Sequence, residues 1–410
     1  MFTAPQIGDT IEKDHAIHYE AADENRTEVL STEPIALLIN IITRHQHPQF
    51  AAARRHLPRM QCLLSAANEP HRDYDPDFSL LEVSIQKSWT VRKKWKHSAG
   101  FADDLNVHIP YDTPAWLHRM RPRAVLSFEL GFRTLCAAMH RRTHRRCGLA
   151  IVVNESEHTA GSWGLARRML RPMLLNSADV VTYNGSSGRR YLRDRMRVPE
   201  QKLLHVPYTA HPGMLFTGGT NRPATRRHRM LYVGQLTERK NPLAFLRCLM
   251  RWCADHPSRE VELSMAGRGP LVEPIRELVK PANFRLELLG AVPPENLPGV
   301  YQTHGLMVFP TLADEWGLVV NESMHSGLPV LSSIYAQATL DLIREGENGW
   351  RFAPDDDAAS YAGIDRALSS SVNRVDAMAA AARLSVADRT PLWSGRLLAE
   401  AARAAIDRTA

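Results

Sequence analysis

The chain has no apolar run near the roughly 20 residues that a membrane-spanning helix needs. Its best stretch, Ile35 to Ile42, is far shorter and ends in Thr43-Arg44-His45. Cysteine is scarce: Cys62, Cys136, Cys147, Cys248 and Cys253 make an odd number with no C-x-x-C pair. A disulfide framework or a zinc site is therefore not expected, and free thiols in a reducing cytoplasm are. No G-x-G-x-x-G follows an N-terminal strand pattern, which argues against an NAD-dependent enzyme. Aromatic residues are only 7% of the chain. They are too sparse among the basic runs to form the stacking platform of a nucleic-acid binder. The first 33 residues are polar and acidic, unlike a secretory signal, and read as a flexible leader.

What is present is ordinary for a globular protein: 44% hydrophobic and 23% charged residues. A length of 410 residues exceeds what one core usually holds, so two domains are expected. Formal net charge is +7, made of roughly +10 up to Arg227 and roughly −3 beyond it. The basic runs are Arg92-Lys93-Lys94-Trp95-Lys96, Arg141 to Arg146 and Arg189 to Arg197. Such runs are usually solvated faces, but a basic half also suits peripheral contact with an anionic membrane.

Short runs rich in Val, Ile and Leu alternate with helical patterns in both halves. In the first half they are Ile35–Ile42, Met60–Ser65, Ala124–Phe128, Leu149–Val153, Asp179–Tyr183 and Leu203–Val206. In the second they are Met230–Val233, Val261–Ala266, Phe284–Leu289, Leu306–Phe309 and Pro329–Ser332. Runs of this length without polar alternation are strands buried on both faces of a parallel sheet. Helices are expected over Phe132–Arg142, Leu165–Leu175, Leu243–Cys253, Val272–Val279, Leu318–Ser326 and Ala358–Leu368. The fold class is α/β, with two Rossmann-like doubly wound domains facing a cleft. The expected division is a leader over 1–33, an N-terminal domain over 34–215 and a Pro/Gly-rich linker over 216–227. A C-terminal domain over 228–385 follows, then a terminal helix over 386–410 that packs back on the first domain.

Chemistry is expected in loops that follow strands. Asp314-Glu315-Trp316-Gly317-Leu318-Val319-Val320-Asn321-Glu322 follows the strand Leu306–Phe309 and opens a helix. The first amides of that helix, at Gly317, Leu318 and Val319, have no intrahelical acceptor and attract phosphate. Glu322 lies one and a half turns in, where a carboxylate accepts two hydrogen bonds from a vicinal diol. Gly234 to Pro242 follows another strand and places Arg239 and Lys240 where a diphosphate fits. Gly267-Arg268-Gly269-Pro270 makes a tight turn after a third strand. Each alone is more often a plain turn or a solvated side chain; their order and spacing on one domain carry the weight.

These motifs, with Leu289-Gly290-Ala291-Val292 and Asp314 to Pro329, resemble the donor-site motifs of the retaining family 4 glycosyltransferases of GT-B fold. The likeness is close from about Arg229 to Leu368. It is looser over the N-terminal half, at Asp179 to Ser186 and Val206-Pro207-Tyr208. The resemblance implies a nucleotide-sugar donor, UDP- or GDP-linked, bound by the C-terminal half, and an acceptor bound by the N-terminal half. It implies no further cofactor or metal, and retention at the anomeric carbon. Of the family's two acids with seven residues between them, it places Asp314 on the donor sugar and Glu322 on the ribose. Lys240 is matched to the lysine that neutralises the departing diphosphate, so Lys240, Asp314 and Glu322 are the implied catalytic set. Gly234, Arg239, Gly317, Leu318 and Val319 complete the implied donor site. The chain departs from the pattern in having Asp314 for Glu, Gln235 where Arg is common, and no glycine in Thr43 to Pro48. Glu315 is an alternative first acid.

On the acceptor side the candidates are His45, His47, Glu129 and Glu155, with Asn154 and His158 weighed beside them. The pair His45 and His47 lacks the acidic or thiol company of a metal site. Glu129 ends a strand, where capping the next helix is as good a reading as catalysis. A glycan or lipid-linked sugar of a bacterial surface-polysaccharide pathway is the expected acceptor, with the protein cytoplasmic and peripheral to the inner membrane. A non-catalytic partner subunit of the same fold is the reading that Gln235 and Asp314 keep open.

Overall fold

The computed structural model describes residues 28–69, 76–97, 99–160, 165–210 and 229–409, with the side chains of 103, 104 and 165–168 left aside. The leader expected over 1–33 lies outside them up to residue 27, and the linker expected over 216–227 lies outside entirely.

The first sheet contains β1 (Ile35–Ile39), β2 (Met60–Leu64), β3 (Glu82–Ile85), β6 (Ala124–Phe128), β7 (Gly148–Val153), β8 (Val180–Tyr183) and β9 (Leu203–His205). Between β3 and β6 the chain makes a separate antiparallel hairpin, β4 (Ser88–Lys96) and β5 (Ala102–Pro110). The strand order is β3-β2-β1-β6-β7-β8-β9, parallel throughout. The second sheet contains β10 (Arg229–Val233), β11 (Val261–Ala266), β12 (Phe284–Gly290), β13 (Leu306–Phe309), β14 (Val330–Ser333) and β15 (Gly349–Phe352). Its order, β12-β11-β10-β13-β14-β15, is the doubly wound 3-2-1-4-5-6.

Both faces of each sheet are covered at its inner strands, which is why those strands read as continuous apolar runs, whereas the edge strands β3 and β12 are partly exposed. On β1, Ile35, Leu37 and Ile39 meet Leu398, Ala402 and Ala405, while Ala36 and Leu38 meet the opposite layer of Leu117, Ala137 and Tyr191. Each fully buried Ile or Leu contributes about 1.5–3 kcal/mol. The apolar partners of β1 on the first face come from the helix Pro391–Asp407, which therefore packs on the N-terminal sheet. Gln49 donates to Ser394 Oγ at 2.6 Å, and Ser394 in turn donates to the carbonyl of Pro207.

Elements that the apolar pattern passes over have visible reasons. The strand β4 reads Ser-Trp-Thr-Val-Arg-Lys-Lys-Trp-Lys and is exposed along nearly its whole length. The strand β15, Gly-Trp-Arg-Phe, is interrupted by Arg351. The helix expected over Val272–Val279 stops at Arg276, with Pro281 soon after. All five cysteines are buried free thiols. Among the described residues no helix is long and apolar enough to cross a membrane.

Candidate active site

In the second sheet the strand order reverses between β10 and β13, so the loops that follow these two strands flank the switch point where ligands of such sheets bind. The first loop leaves β10 at Gly234, makes a 3₁₀ turn at Glu238–Lys240 and enters the helix Pro242–Asp255. The second runs from Pro310 to Gly317 and enters the helix Leu318–His325. They are sewn together: Leu312 N–H donates to Arg239 O at 2.8 Å and Thr311 Oγ1 donates to the same carbonyl.

This stitching brings Lys240 and Arg239 onto Asp314. Lys240 Nζ donates to Asp314 Oδ2, and an Arg239 guanidinium nitrogen lies 4.0 Å from that oxygen. The Trp316 amide donates to Asp314 Oδ1. Burial alone raises the Asp314 pKa, but Lys240, Arg239 and these hydrogen bonds outweigh it and hold the carboxyl below its ordinary value. The ammonium also sits 5.2 Å from the centre of the Phe309 ring. Thr237, which the motif reading passed over, leaves its hydroxyl buried with no partner among the described residues.

Gly317 takes φ +99 and caps the helix Leu318–His325. A side chain there would press a Cβ to 2.8 Å from the Phe309 ring, so glycine is required both for the turn and for the close approach. The first backward bond runs from Val320 N–H to Gly317 O, so the amides of Gly317, Leu318 and Val319 precede the helical ladder. Glu322, on the same helix, accepts a 2.9 Å hydrogen bond from the buried hydroxyl of Tyr301. Burial raises its pKa against that bond. One carboxylate oxygen is thus fixed and the other keeps its accepting capacity.

The domains meet through Gln337 and Asp341. Gln337 Nε2 donates to the carbonyls of Asn154 and Glu315, and its Oε1 accepts from Gly188 N–H at 2.8 Å. Asp341 Oδ2 accepts from Ser186 N–H at 2.9 Å, a helix cap supplied from the other domain. Neither residue stands out in the sequence, because glutamine and aspartate near a helix start are commonplace. A cavity of about 450 Å³ at this interface is lined by Tyr183, Ser186, Asp341 and Arg389 among others, and none of its lining belongs to the loops after β10 or β13.

Across the cleft, the acceptor-side candidates separate. Glu129 ends β6 with φ +65, a strained conformation for a glutamate. It pairs with Arg133 at 3.6 Å and accepts from Asn40 Nδ2. Arg133 also donates to Asn40, Ser65 and the Phe128 carbonyl, tying together the ends of β1, β2 and β6. It lies at i−4 and i−7 from the buried Ala137 and His140, the one signal that an arginine there faces inward. Glu155 is held by Arg171 and the Tyr191 hydroxyl, and Asn154 by Asn184. His45 approaches Tyr208, ring centres 4.8 Å apart, whereas His47 turns to Ser79 O and Asp77. The His158 ring lies 4.8 Å from Tyr335 of the C-terminal domain.

Glu315 faces this group. Its side chain reaches solvent through the cleft, yet protein crowds it from both domains. That desolvation, then the charges of Glu129, Glu155 and Asp314, push its pKa up to about 8. A carboxyl raised in the folded state adds stability below its unfolded pKa of 4.5, and this is lost as pH rises through about 8. Between pH 5 and 8 the wild type should lose thermal stability, and Glu315→Gln should flatten that slope. An unchanged slope in the variant would reassign the proton to Glu129.

The chain is similar to known glycosyltransferases in sequence and in fold. Residues 227–370 match the family model described as Glycosyl transferases group 1. The D-inositol 3-phosphate glycosyltransferase of Corynebacterium diphtheriae is 29% identical over 204 residues, 45% of this chain and 46% of that protein. A Campylobacter jejuni α-1,4-N-acetyl-D-galactosaminyltransferase acting on a diNAcBac-PP-undecaprenol glycan is 25% identical over 206 residues, 50% of this chain and 54% of that one. The chain thus spans about half the length of the curated relatives it matches. The crystal structure of Anabaena Alr3699/HepE in complex with UDP superposes with a TM-score of 0.66 at 14% identity, over 90% of this chain and 98% of that one. Residues 227–370 are thus similar to the glycosyl transferases group 1 family, and the two helix-covered parallel sheets form a GT-B fold.

Proposed function

We propose that the chain is a hexosyltransferase that moves a sugar from a UDP- or GDP-linked donor to a glycan or lipid-linked acceptor, with retention and without a metal ion, in bacterial surface-polysaccharide synthesis. The carrying observation is that Lys240 and Arg239 converge on Asp314 beside the amides of Gly317–Val319, with Glu322 on the same helix. The UDP in the Anabaena complex and the names of both relatives support a nucleotide-sugar reading.

In this reading the anomeric carbon–oxygen bond to the diphosphate breaks while the acceptor hydroxyl bonds to the same carbon from the same face. The hydroxyl proton passes to the departing phosphate. Charge grows on that phosphate, where Lys240, whose ammonium has three donors, and the helix amides stabilise it. Asp314 orients Lys240 and takes hydroxyls of the donor sugar. Glu322 takes the ribose diol, and closure on the cleft excludes water.

Calorimetric titration with UDP and GDP, without added metal, tests the donor class. Micromolar binding of one is expected; binding of neither would overturn the proposal. Glu322→Ala should weaken the favoured nucleotide by about 10- to 100-fold, the loss of a charge-assisted bond of roughly 1.5–3 kcal/mol. Tyr301→Phe, which removes only the buried partner of Glu322, serves as the control, and equal losses in both variants would count against the ribose assignment. The anomeric signal of the first product in a proton NMR time course tests retention.

A further inference from the structure

Among the described residues the β4–β5 hairpin pairs with no third strand. It is nonetheless anchored twice over the acceptor side of the cleft. Near its base, His108 Nε2 lies 3.3 Å from Glu69 Oε1, and Asn106 donates to the same oxygen, so the hairpin rests on the segment after β2. At its tip, His97 Nε2 bonds the carbonyl of His158, on the segment after β7. In the sheet, β1 and β6 lie between β2 and β7. The hairpin therefore bridges across the ends of β1 and β6, where Asn40 and Glu129 sit. β5 also approaches the Glu238–Lys240 turn of the donor domain.

Strand alternation sorts its residues. Thr90, Arg92, Lys94 and Lys96 share one face with their cross-strand partners His108, Asn106, Asp104 and Ala102. That is the face seated on Glu69. Arg92, Lys94 and Lys96 are exposed, and among the described residues none has a hydrogen bond or ion pair. These three cations are spread over roughly 14 Å from Arg92 to Lys96. The cleft floor below carries the carboxyl groups of Glu129 and Glu315, close enough to act on one another. A site with carboxylates at one end and cations at the other fits a molecule that is polyhydroxylated at one end and anionic at the other.

We propose that this hairpin is an acceptor arm, and that Arg92 and Lys96 hold a phosphate or diphosphate group of the acceptor. The proposal rests on the reading of the N-terminal side as the acceptor side. It names a substrate class, phosphate-bearing acceptors, which the donor motifs do not specify.

The test uses the full chain saturated with UDP, so that the donor site is filled, and titrated with inorganic pyrophosphate. Pyrophosphate should bind, and Arg92→Ala/Lys96→Ala should weaken that binding by about tenfold or more with UDP affinity unchanged. Arg92→Lys/Lys96→Arg should restore it. Unchanged pyrophosphate affinity in the alanine variant, or no pyrophosphate binding, overturns the proposal. Sedimentation with phosphatidylglycerol vesicles separates the sources: hairpin-dependent vesicle binding without pyrophosphate binding also overturns it, in favour of a lipid surface. If UDP does not bind, GDP takes its place in the test; failure of both would instead strike the donor reading, because the pyrophosphate comparison between wild type and variant can then be made without a nucleotide.

Discussion

Lys240→Ala should lower kcat by about 10²- to 10³-fold, the usual cost of removing one preorganised donor from a developing oxyanion. The effect should fall on kcat more than on the donor KM. The ammonium meets a diphosphate ester in the ground state and a more highly charged free diphosphate as the bond breaks, so its contribution grows along the reaction. Lys240→Arg should recover part of the rate, since Arg239 already shows that a guanidinium can approach Asp314. A second readout separates chemistry from collapse of the site. Lys240 is the strongest of the influences that pull the Asp314 carboxyl below its ordinary value against burial. A carboxylate with a depressed folded pKa contributes stability above its unfolded value of 3.8, lost as pH falls through the folded pKa. Without Lys240 the depression shrinks, so acid unfolding should begin at a higher pH in the variant. Near-normal turnover in a folded Lys240→Ala protein would remove the residue from the mechanism.

Much of the fold was legible because both sheets are buried on two faces at their inner strands. The runs Ala124–Phe128, Val261–Ala266 and Leu306–Phe309 coincide with β6, β11 and β13, and the strand-after-strand spacing gave the doubly wound class. What escaped was whatever did not bury an apolar run. The β4–β5 hairpin is charged and mostly exposed, so its strands look like a solvated basic stretch. The helix Val372–Val386 carries arginine and aspartate among its alanines. The loops after β10 and β13 were legible as a candidate site because a glycine turn, a cation pair and a helix start occur in order within one domain. The contacts between domains were not, because Gln337 and Asp341 act on backbone groups more than 140 residues away, at Ser186, Gly188 and Asn154. No local periodicity records such a pairing. Glu129 and Glu315 show the same limit: each is a candidate in the sequence, but nothing local records that the two act on one another.

The glycines of Gly267-Arg268-Gly269-Pro270 do more than make a turn, and Gly267→Ala should be the most damaging single methyl in the C-terminal domain. The loop after β11 lies backbone against backbone on the loop after β10. Gly267 sits at φ +154, and a Cβ there would fall 1.8 Å from the carbonyl oxygen of Gly234. That atom is main chain and cannot swing aside. Gly234 N–H is bonded to Ala266 O, while Gly267 N–H reaches Gly290 O at 2.7 Å, so displacement of one loop strains three strands at once. Overpacking and an unfavourable φ each cost about 1–3 kcal/mol, so a loss of about 3–5 kcal/mol is expected. For a domain of this size that lowers the melting temperature by roughly 10 °C. The donor loop carries Arg239 and Lys240, so nucleotide affinity should fall with stability. Gly299→Ala provides the contrast: its Cβ would meet nothing within 4 Å, and a helical alanine there should be neutral or slightly stabilising. If Gly267→Ala melts and binds UDP like the wild type, the two loops are not packed as described, and the placement of Lys240 beside Asp314 loses its structural support.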